Sequence, residues 1–241
     1  MPKALQLLLG LAAVNAFRGP PHRAPRPLLR SSPNDAPPSG ESRTTVNGRE
    51  LAEALTNVNL YLVGMMGSGK TSVGELVSRQ LGSYTFLDTD ATLETATQRT
   101  IADIFAEDGE EEFRKLEGSI MEQVAAYVRL VVATGGGVVS RQQNWASLRQ
   151  GIVVWIDPPL ETLVQRLENS AEEGKRPLLK DDAAATLKAT LEKRRDLYAQ
   201  CDVRITLDGD ENPSAVAERV VKDALAFIRA NPPKAAPEPP Q

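Results

Sequence analysis

The sequence predicts a three-layer α/β fold, in which a five-stranded parallel sheet lies between two layers of helices. Short apolar runs alternate along the chain with longer segments of helical periodicity, a pattern typical of parallel strands joined by helical crossovers. The chain has 241 residues. This length suffices for one domain of roughly 100–200 residues with extensions at its ends.

Five short apolar runs predict the strands, because strands buried on both faces are apolar throughout. In order they are Val58–Val63, Tyr84–Leu87, Leu130–Ala133, Ile152–Ile156 and Val203–Leu207. The first three are followed by glycines or carboxylates. In parallel sheets, ligands bind at the edge where the strands end, so these segments are the candidates for a site.

Apolar positions three and four residues apart predict the helices that cover this sheet. They are Lys70–Leu81, Thr100–Tyr127 with an interruption near Gly109, Leu160–Leu167, Ala183–Gln200 and Pro213–Ala230. The charged, glycine-containing segment Glu168–Asp182 is predicted to be a lid loop that closes over a bound ligand.

The ends of the chain are predicted to lie outside the folded domain. Residues 1–17 resemble a signal peptide, because the apolar run Leu5–Phe17 is too short to span a bilayer. Residues 18–49 begin as a Pro- and Arg-rich stretch typical of a transit peptide and continue as a disordered polar linker. The two in series resemble the bipartite presequences of algae with secondary plastids, which predicts a plastid location; a secretory signal followed by a linker is the alternative. Residues 50–230 then form the domain, and 231–241 a disordered tail.

Composition excludes several kinds of site. Without the six basic and two acidic residues of positions 1–45, the totals of 28 and 32 become 22 basic and 30 acidic residues. An acidic domain is a poor general surface for nucleic acid. The one histidine, His22, lies in the N-terminal extension, and Cys201 is the one cysteine. A histidine-based triad and an internal disulfide are therefore excluded.

The segment after the first strand, Gly64–Thr71 (GMMGSGKT), fits the pattern of a phosphate-binding P-loop. Glycines let successive N–H groups face phosphate oxygens, and the following helix points its positive end at the same place. Lys70 is expected to reach the β- and γ-phosphates, and the Thr71 hydroxyl to coordinate Mg²⁺. The residues expected to bind ATP are Gly64, Gly67, Ser68, Gly69, Lys70 and Thr71. A merely structural glycine turn is the alternative.

Asp88 and Asp90 stand two residues apart at the end of the second strand. A carboxylate at this position can hold Mg²⁺ through water, or accept a hydrogen bond from an attacking hydroxyl. Asx residues at such a position also cap helices, so a helix N-cap near Thr89–Asp90 is the alternative.

Further candidates follow along the chain. Arg114 offers a planar fork suited to a carboxylate, which Glu117 could hold in place; a surface ion pair is the alternative. Gly135, Gly136 and Gly137 allow a ligand to approach the backbone, unless they form only a loose turn. Arg176 lies in the lid loop, where it can close on a transferring phosphoryl group or remain solvated.

The order of these motifs resembles that of the shikimate kinase family over Asn57–Leu207. The segments that carry the resemblance are GMMGSGKT, FLDTD, IADIFAEDGEEEFRKLE, ATGGGVV, VVWIDPP, KRPLL and RRDLY. The resemblance implies a P-loop fold like that of nucleoside-monophosphate kinases, with substrate-binding helices. It also implies transfer of the γ-phosphate of ATP to the 3-hydroxyl of shikimate, with Mg²⁺ as cofactor and small molecules as the partners of a monomer without nucleic acid or membrane.

The resemblance also implies a role for each matching residue. Lys70, Asp90 and Arg176 would be catalytic. Asp90 would contact the acceptor hydroxyls, Arg114 and Arg194 would bind its carboxylate, and Gly135, Gly136 and Gly137 would meet it through their backbone. Thr71 would bind the metal, with Asp88 acting through water.

One departure from the family and two competing functions are open at this point. Asp196 stands where the family usually has proline ahead of Leu197 and Tyr198. Its carboxylate could pair with Arg194 or Arg195, which leaves open which arginine binds the substrate. Another small-molecule kinase of this fold, such as a gluconate or nucleotide kinase, is one alternative, and a non-catalytic relative is the other.

Overall fold

The computed structural model describes residues 46–172 and 183–231. Five parallel strands form one sheet in the spatial order β2-β3-β1-β4-β5, which confirms the predicted five-stranded parallel sheet. The strands are β1 Leu60–Val63, β2 Thr85–Asp88, β3 Leu130–Ala133, β4 Ile152–Asp157 and β5 Val203–Thr206. Each predicted strand is present, β3 with the predicted bounds and the others with ends that differ by at most two residues.

Helices cover both faces of this sheet. In chain order they are α1 Val46–Ala54, α2 Lys70–Leu81, α3 Thr89–Thr97, α4 Ile101–Glu107, α5 Gly109–Ala125, α6 Gln142–Leu148, α7 Leu160–Glu172, α8 Ala183–Tyr198 and α9 Pro213–Ala230. A 3-10 turn, Val138–Ser140, precedes α6. The predicted interruption near Gly109 is confirmed, because α4 ends and α5 begins there.

The strands bury their two faces in two separate cores, which produces the predicted three layers. In β1, Tyr61 and Val63 belong to the core shared with α5 and α8. Leu60 and Leu62 point the other way, into the core shared with α1, α2 and α9. This alternation follows from the two-residue period of a strand, and burial on both faces explains why the strands are apolar throughout.

The folded region begins earlier than expected. Helix α1 starts at Val46, four residues inside the segment predicted as linker, and Leu51 and Leu55 are fully buried against the core that contains α9. Arg229 of α9 also pairs with Glu50 of α1 at 2.5 Å. The linker prediction is therefore wrong for Val46–Arg49, whose backbone is helical because the apolar side of α1 is needed to cover the sheet.

Two further differences concern helices. Helix α7 continues to Glu172, so the predicted loop does not begin at Glu168. Helix α6 falls in a segment for which no helix was predicted, and α3 was predicted only through the alternative of an N-cap near Thr89–Asp90. None of the helices in the two described ranges is both long and apolar enough to cross a bilayer.

The register of the sheet brings the candidate segments together. Asp88 at the end of β2 is opposite Ala133 at the end of β3, and Ala133 is in turn level with Leu62 of β1. The P-loop therefore lies beside both Asp88–Asp90 and Gly135–Gly137 at one edge of the sheet, as expected for strands that run in the same direction.

Candidate active site

The P-loop is a tight glycine turn that leads from β1 into α2. Gly67 and Gly69 have φ angles of +79° and +90°, a region that side chains rarely adopt. Gly69 is also the N-cap of α2, so the positive end of the helix faces the turn. The chain here has the backbone geometry that a phosphate cradle needs.

The Lys70 ammonium lies inside this turn and forms hydrogen bonds to it. Its Nζ donates to the carbonyl oxygens of Gly64 and Met65, at 2.8 Å each, and to Oγ of Ser68 at 3.3 Å. Lys70 and Ser68 are both buried. The ammonium is thus held within the loop, at the place where phosphate oxygens would meet it.

Thr71 and Asp88 connect the P-loop to β2. The Thr71 hydroxyl donates to Oδ2 of Asp88 at 2.7 Å, while Oδ1 of Asp88 accepts from the N–H groups of Asp90 and Ala91. Asp88 is therefore the N-cap of α3, as the alternative interpretation predicted. Capping α3 does not prevent Asp88 from taking part in the site, since the same carboxylate also accepts a hydrogen bond from the Thr71 hydroxyl.

The three glycines after β3 are in close contact with their surroundings and do not form a loose turn. A methyl group on Gly135 would lie 2.8 Å from Oδ1 of Asp90 and 2.8 Å from Oε1 of Glu117. A methyl group on Gly136 would lie 3.1 Å from the backbone nitrogen of Met66 in the P-loop. The glycines therefore let the P-loop, Asp90 and Glu117 come together around one stretch of bare backbone.

Arg114 lies over the third of these glycines. A methyl group on Gly137 would overlap its guanidinium. Its Nη1 donates to Oε2 of Glu117 at 3.0 Å, and its Nη2 to Oε1 of Glu110 at 3.2 Å. With 12% of the Arg114 side chain and 3% of the Glu117 side chain exposed, their pair is largely shielded from solvent and is not the surface pair of the alternative interpretation.

Glu117 is an unusual group for this position. Within the described ranges its Oε1 has no hydrogen-bond partner. Burial raises the pKa of its carboxyl group, and the nearby guanidinium of Arg114 opposes that rise, as do those of Arg194 and Arg141 more weakly. A buried carboxylate with a free oxygen is thus surrounded by cations, which favours a site for a polar ligand.

Arg194 also reaches this site from α8. Its Nη1 donates to the carbonyl oxygen of Gly136 at 3.2 Å, and the Tyr198 hydroxyl donates to the same oxygen at 2.5 Å. Arg195 and Asp196 are exposed. In the described part of the chain, Asp196 forms no ion pair with either arginine, so the geometry favours Arg194.

The sequence does not predict two residues that neighbour the P-loop and the acceptor site, Arg166 and Tyr198. Nη1 of Arg166 donates to the carbonyl oxygen of Gly67 at 3.0 Å, and its Nη2 pairs with Oδ1 of Asp210 at 2.7 Å. Tyr198 is the second. No spacing in the sequence connects these residues to the site, because each contact spans a long stretch of chain. Arg176 lies outside the described residues.

The arrangement suits transfer between two anions held side by side. The P-loop offers backbone N–H groups, a helix N-terminus and Lys70 to a triphosphate. Next to it lie a carboxylate, Asp90, and two arginines, which suit an acid that carries a hydroxyl group.

Oxygen atoms at Thr71 and Asp88 fit Mg²⁺, which prefers oxygen ligands and is usually bound by one or two protein groups together with phosphates. Within residues 46–172 and 183–231, no group of three His, Cys, Asp or Glu side chains could hold a metal by itself. A site completed by phosphate oxygens is therefore the kind that this donor set permits.

Comparison with known proteins agrees with this geometry. The family model described as shikimate kinase matches residues 66–225. A shikimate kinase of Synechococcus elongatus is 49% identical over 173 residues, which cover 71% of this chain and 89% of that protein. A shikimate kinase of Nostoc is 46% identical over 180 residues, which cover 74% and 97% respectively.

Solved structures give the same result. A shikimate kinase from Acinetobacter baumannii in complex with shikimate matches with a TM-score of 0.64 and 34% identity, over 76% of this chain and 99% of that chain. A shikimate kinase from Aquifex aeolicus matches with a TM-score of 0.57 and 31% identity, over 72% and 98% respectively.

Proposed function

Since the chain belongs to the shikimate kinase family and is an ATP-dependent kinase of shikimate, we propose that it transfers the γ-phosphoryl group to the 3-hydroxyl. The observation that carries this proposal is the close approach of Gly136 to the P-loop, where a methyl group added to Gly136 would lie 3.1 Å from the Met66 nitrogen. Donor and acceptor would therefore meet without a large movement of the sheet.

The nucleotide occupies the P-loop in this proposal. Its β- and γ-phosphates lie over Gly64, Gly67, Ser68 and Gly69, where N–H groups and the start of α2 face them. Lys70 exchanges its bonds to the Gly64 and Met65 carbonyls for bonds to phosphate oxygens. The ammonium already lies inside the P-loop, so the Lys70 side chain needs little reorganisation when the phosphates bind.

The acceptor lies between Asp90 and the arginines. Arg114 and Arg194 hold its carboxylate, and the backbone of Gly135, Gly136 and Gly137 lines the ring. The 3-hydroxyl oxygen forms a bond to the γ-phosphorus while the bond from that phosphorus to the β-phosphate oxygen breaks, and ADP leaves. Asp90 accepts the hydroxyl proton.

Two contributions to charge neutralisation complete the proposal. Mg²⁺, when bound with ATP, neutralises charge on the phosphates; Thr71 would hold it directly and Asp88 through a water molecule. Arg176, outside the described residues, would close over the transferring group. Both act on negative charge that spreads in the transition state.

The activity is tested by measuring ADP release from ATP by the full chain in the presence of shikimate, of gluconate or of no acceptor. The proposal predicts release that depends on shikimate. Release only with gluconate would support another small-molecule kinase, and no acceptor-dependent release would support a non-catalytic relative. Detection of the 3-phosphate by NMR identifies the hydroxyl that is modified.

We also propose that the mature protein is a monomer located in a plastid. The presequence pattern of residues 1–49 and the cyanobacterial origin of similar relatives support this location, since plastids descend from cyanobacteria. A fusion of residues 1–45 to a fluorescent protein should enter the plastid; delivery to the secretory pathway would support the alternative. Light scattering of the mature protein tests the monomer.

A further inference from the structure

The carbonyl group of Gly136 is held by two side-chain donors from the same helix. The Tyr198 hydroxyl donates to it at 2.5 Å, and Nη1 of Arg194 at 3.2 Å. Both donors come from α8, one turn apart. A carbonyl with two donors is fixed in direction more firmly than a carbonyl with one.

The direction of this carbonyl determines the orientation of the neighbouring backbone. The peptide bond between Gly136 and Gly137 is trans, so the Gly137 N–H points opposite to the Gly136 carbonyl. Gly137 also lies directly beneath the Arg114 guanidinium. Holding the Gly136 carbonyl therefore fixes the direction of an N–H group beside the arginine that faces the acceptor.

The two donors differ in what they can do once the acceptor arrives. Arg194 is only partly buried and its bond to Gly136 is the longer of the two, so its guanidinium can exchange that bond for one to a carboxylate. Leaving this partly buried carbonyl without a donor would be unfavourable. Tyr198 is fully buried and remains in place, so the carbonyl keeps one donor when Arg194 changes partner.

The Tyr198 ring is held in place by its aromatic neighbour. The ring stacks on Trp155 with centroids 5.5 Å apart, and the Arg204 guanidinium lies over the same tryptophan, 4.4 Å from its ring centroid. Arg204 is itself paired with Asp157 at 2.5 Å. Burial raises the pKa of Tyr198 to about 12, so the hydroxyl stays protonated and can donate at neutral pH.

We propose that Tyr198 is a positioning residue for the acceptor, which orients the Gly136–Gly137 peptide and frees Arg194 to bind the acceptor carboxylate. This inference rests on the proposed function, because it needs an anionic acceptor beside Arg114. It adds to that function a residue whose hydroxyl reaches the site at the Gly136 carbonyl, with a longer contact of 3.5 Å to Sδ of Met65 in the P-loop.

The test compares Tyr198→Phe with Tyr61→Phe, both in the full chain. Each substitution removes one hydroxyl from a fully buried ring, but the Tyr61 hydroxyl accepts a hydrogen bond from Asn59, at the end of the sheet where β1 begins, away from the P-loop. Steady-state constants for both substrates and the Tm are measured for the wild type and both variants. We expect Tyr198→Phe to raise the KM for shikimate by roughly three- to tenfold, the effect of one lost hydrogen bond.

In the same variant we expect the KM for ATP and kcat to change less than about twofold, and the control to lower Tm without a change in the KM for shikimate. An unchanged KM for shikimate in Tyr198→Phe would overturn the inference, as would equal changes in kcat and both KM values. Absence of shikimate-dependent turnover in the wild type is a different result, because it removes the proposed function and this inference together.

Discussion

Gly137 and Arg114 fit against each other so closely that a methyl group on Gly137 would overlap the guanidinium of Arg114. Gly137 has a φ angle of −98°, which any residue adopts, so the backbone alone does not require glycine here. The requirement comes from the arginine, whose end is flexible and could be displaced by a side chain. Glycine at this position keeps the arginine over the site.

Gly137→Ala should therefore impair acceptor binding without unfolding the protein. The added methyl group displaces the Arg114 guanidinium from its place beside Glu117, and we expect the KM for shikimate to rise by roughly 10- to 100-fold, as for loss of a charge-assisted hydrogen bond. The Tm and the KM for ATP should change little. Steady-state kinetics and thermal unfolding measure both.

Gly209→Ala is the matched control, since nothing lies within 4 Å of a methyl group added there. This variant should match the wild type in both KM values. If Gly137→Ala also retained the wild-type KM for shikimate, Arg114 would not hold the acceptor from its present position.

Because the pKa of Glu117 is raised, we predict that the stability of the folded protein depends on pH. This pKa in the folded protein is raised above the ordinary value of 4.5, chiefly by burial, so the folded protein binds this proton more tightly than the unfolded chain does. The contribution of Glu117 to stability is therefore fully present below pH 4.5 and is lost as the pH rises through the raised pKa.

Glu117→Gln removes this dependence while keeping the size of the side chain. The Tm of the variant minus the Tm of the wild type should increase between about pH 5 and about pH 8, measured without substrates. A difference that stays constant over this range, or that falls, would show that the pair with Arg114 outweighs the burial of Glu117.

We predict that removing the charge of Asp210 affects only the binding of ATP. Asp210 pairs with Arg166, which in turn donates to the Gly67 carbonyl of the P-loop. Asp210→Asn should weaken this brace and raise the KM for ATP by about two- to fivefold, the small effect expected of a partly exposed ion pair. The KM for shikimate should stay the same.

Asp208→Asn serves as its control, because Asp208 is exposed, carries the same charge and lies two residues away. Equal changes in the KM for ATP of the two variants would mean that the lost charge acts only through the net charge of this region. Arg166 would then need no partner at Asp210.

The fold could be predicted from the sequence largely because its strands are contiguous apolar runs. The sequence predicts α3 only through a possible cap near its start, for a physical reason. Helix α3 (TDATLETAT) buries only Thr89, Leu93 and Ala96, and its start is set by the Asp88 cap, not by a regular apolar stripe. The start of α1, Val46–Arg49, has the composition of a linker because its polar residues surround the few that are buried.

The site was predictable to the extent that it is local. The P-loop is a continuous segment, so its spacing alone predicts its geometry. Arg166 and Tyr198 reach the site only through the packing of α7 and α8 against the sheet, and Glu117 has an unsatisfied oxygen only because of how α5 is buried. Such contacts depend on tertiary structure, which no spacing along the chain records.

Shikimate-dependent ADP release by Asp90→Ala, compared with the wild type, tests the central claim most directly. Asp90 faces Gly135 beside the P-loop, and we expect its loss to lower kcat by about 100-fold or more, with the fold and ATP binding retained. A purified Asp90→Ala protein that turned over shikimate at a rate near that of the wild type would contradict the account.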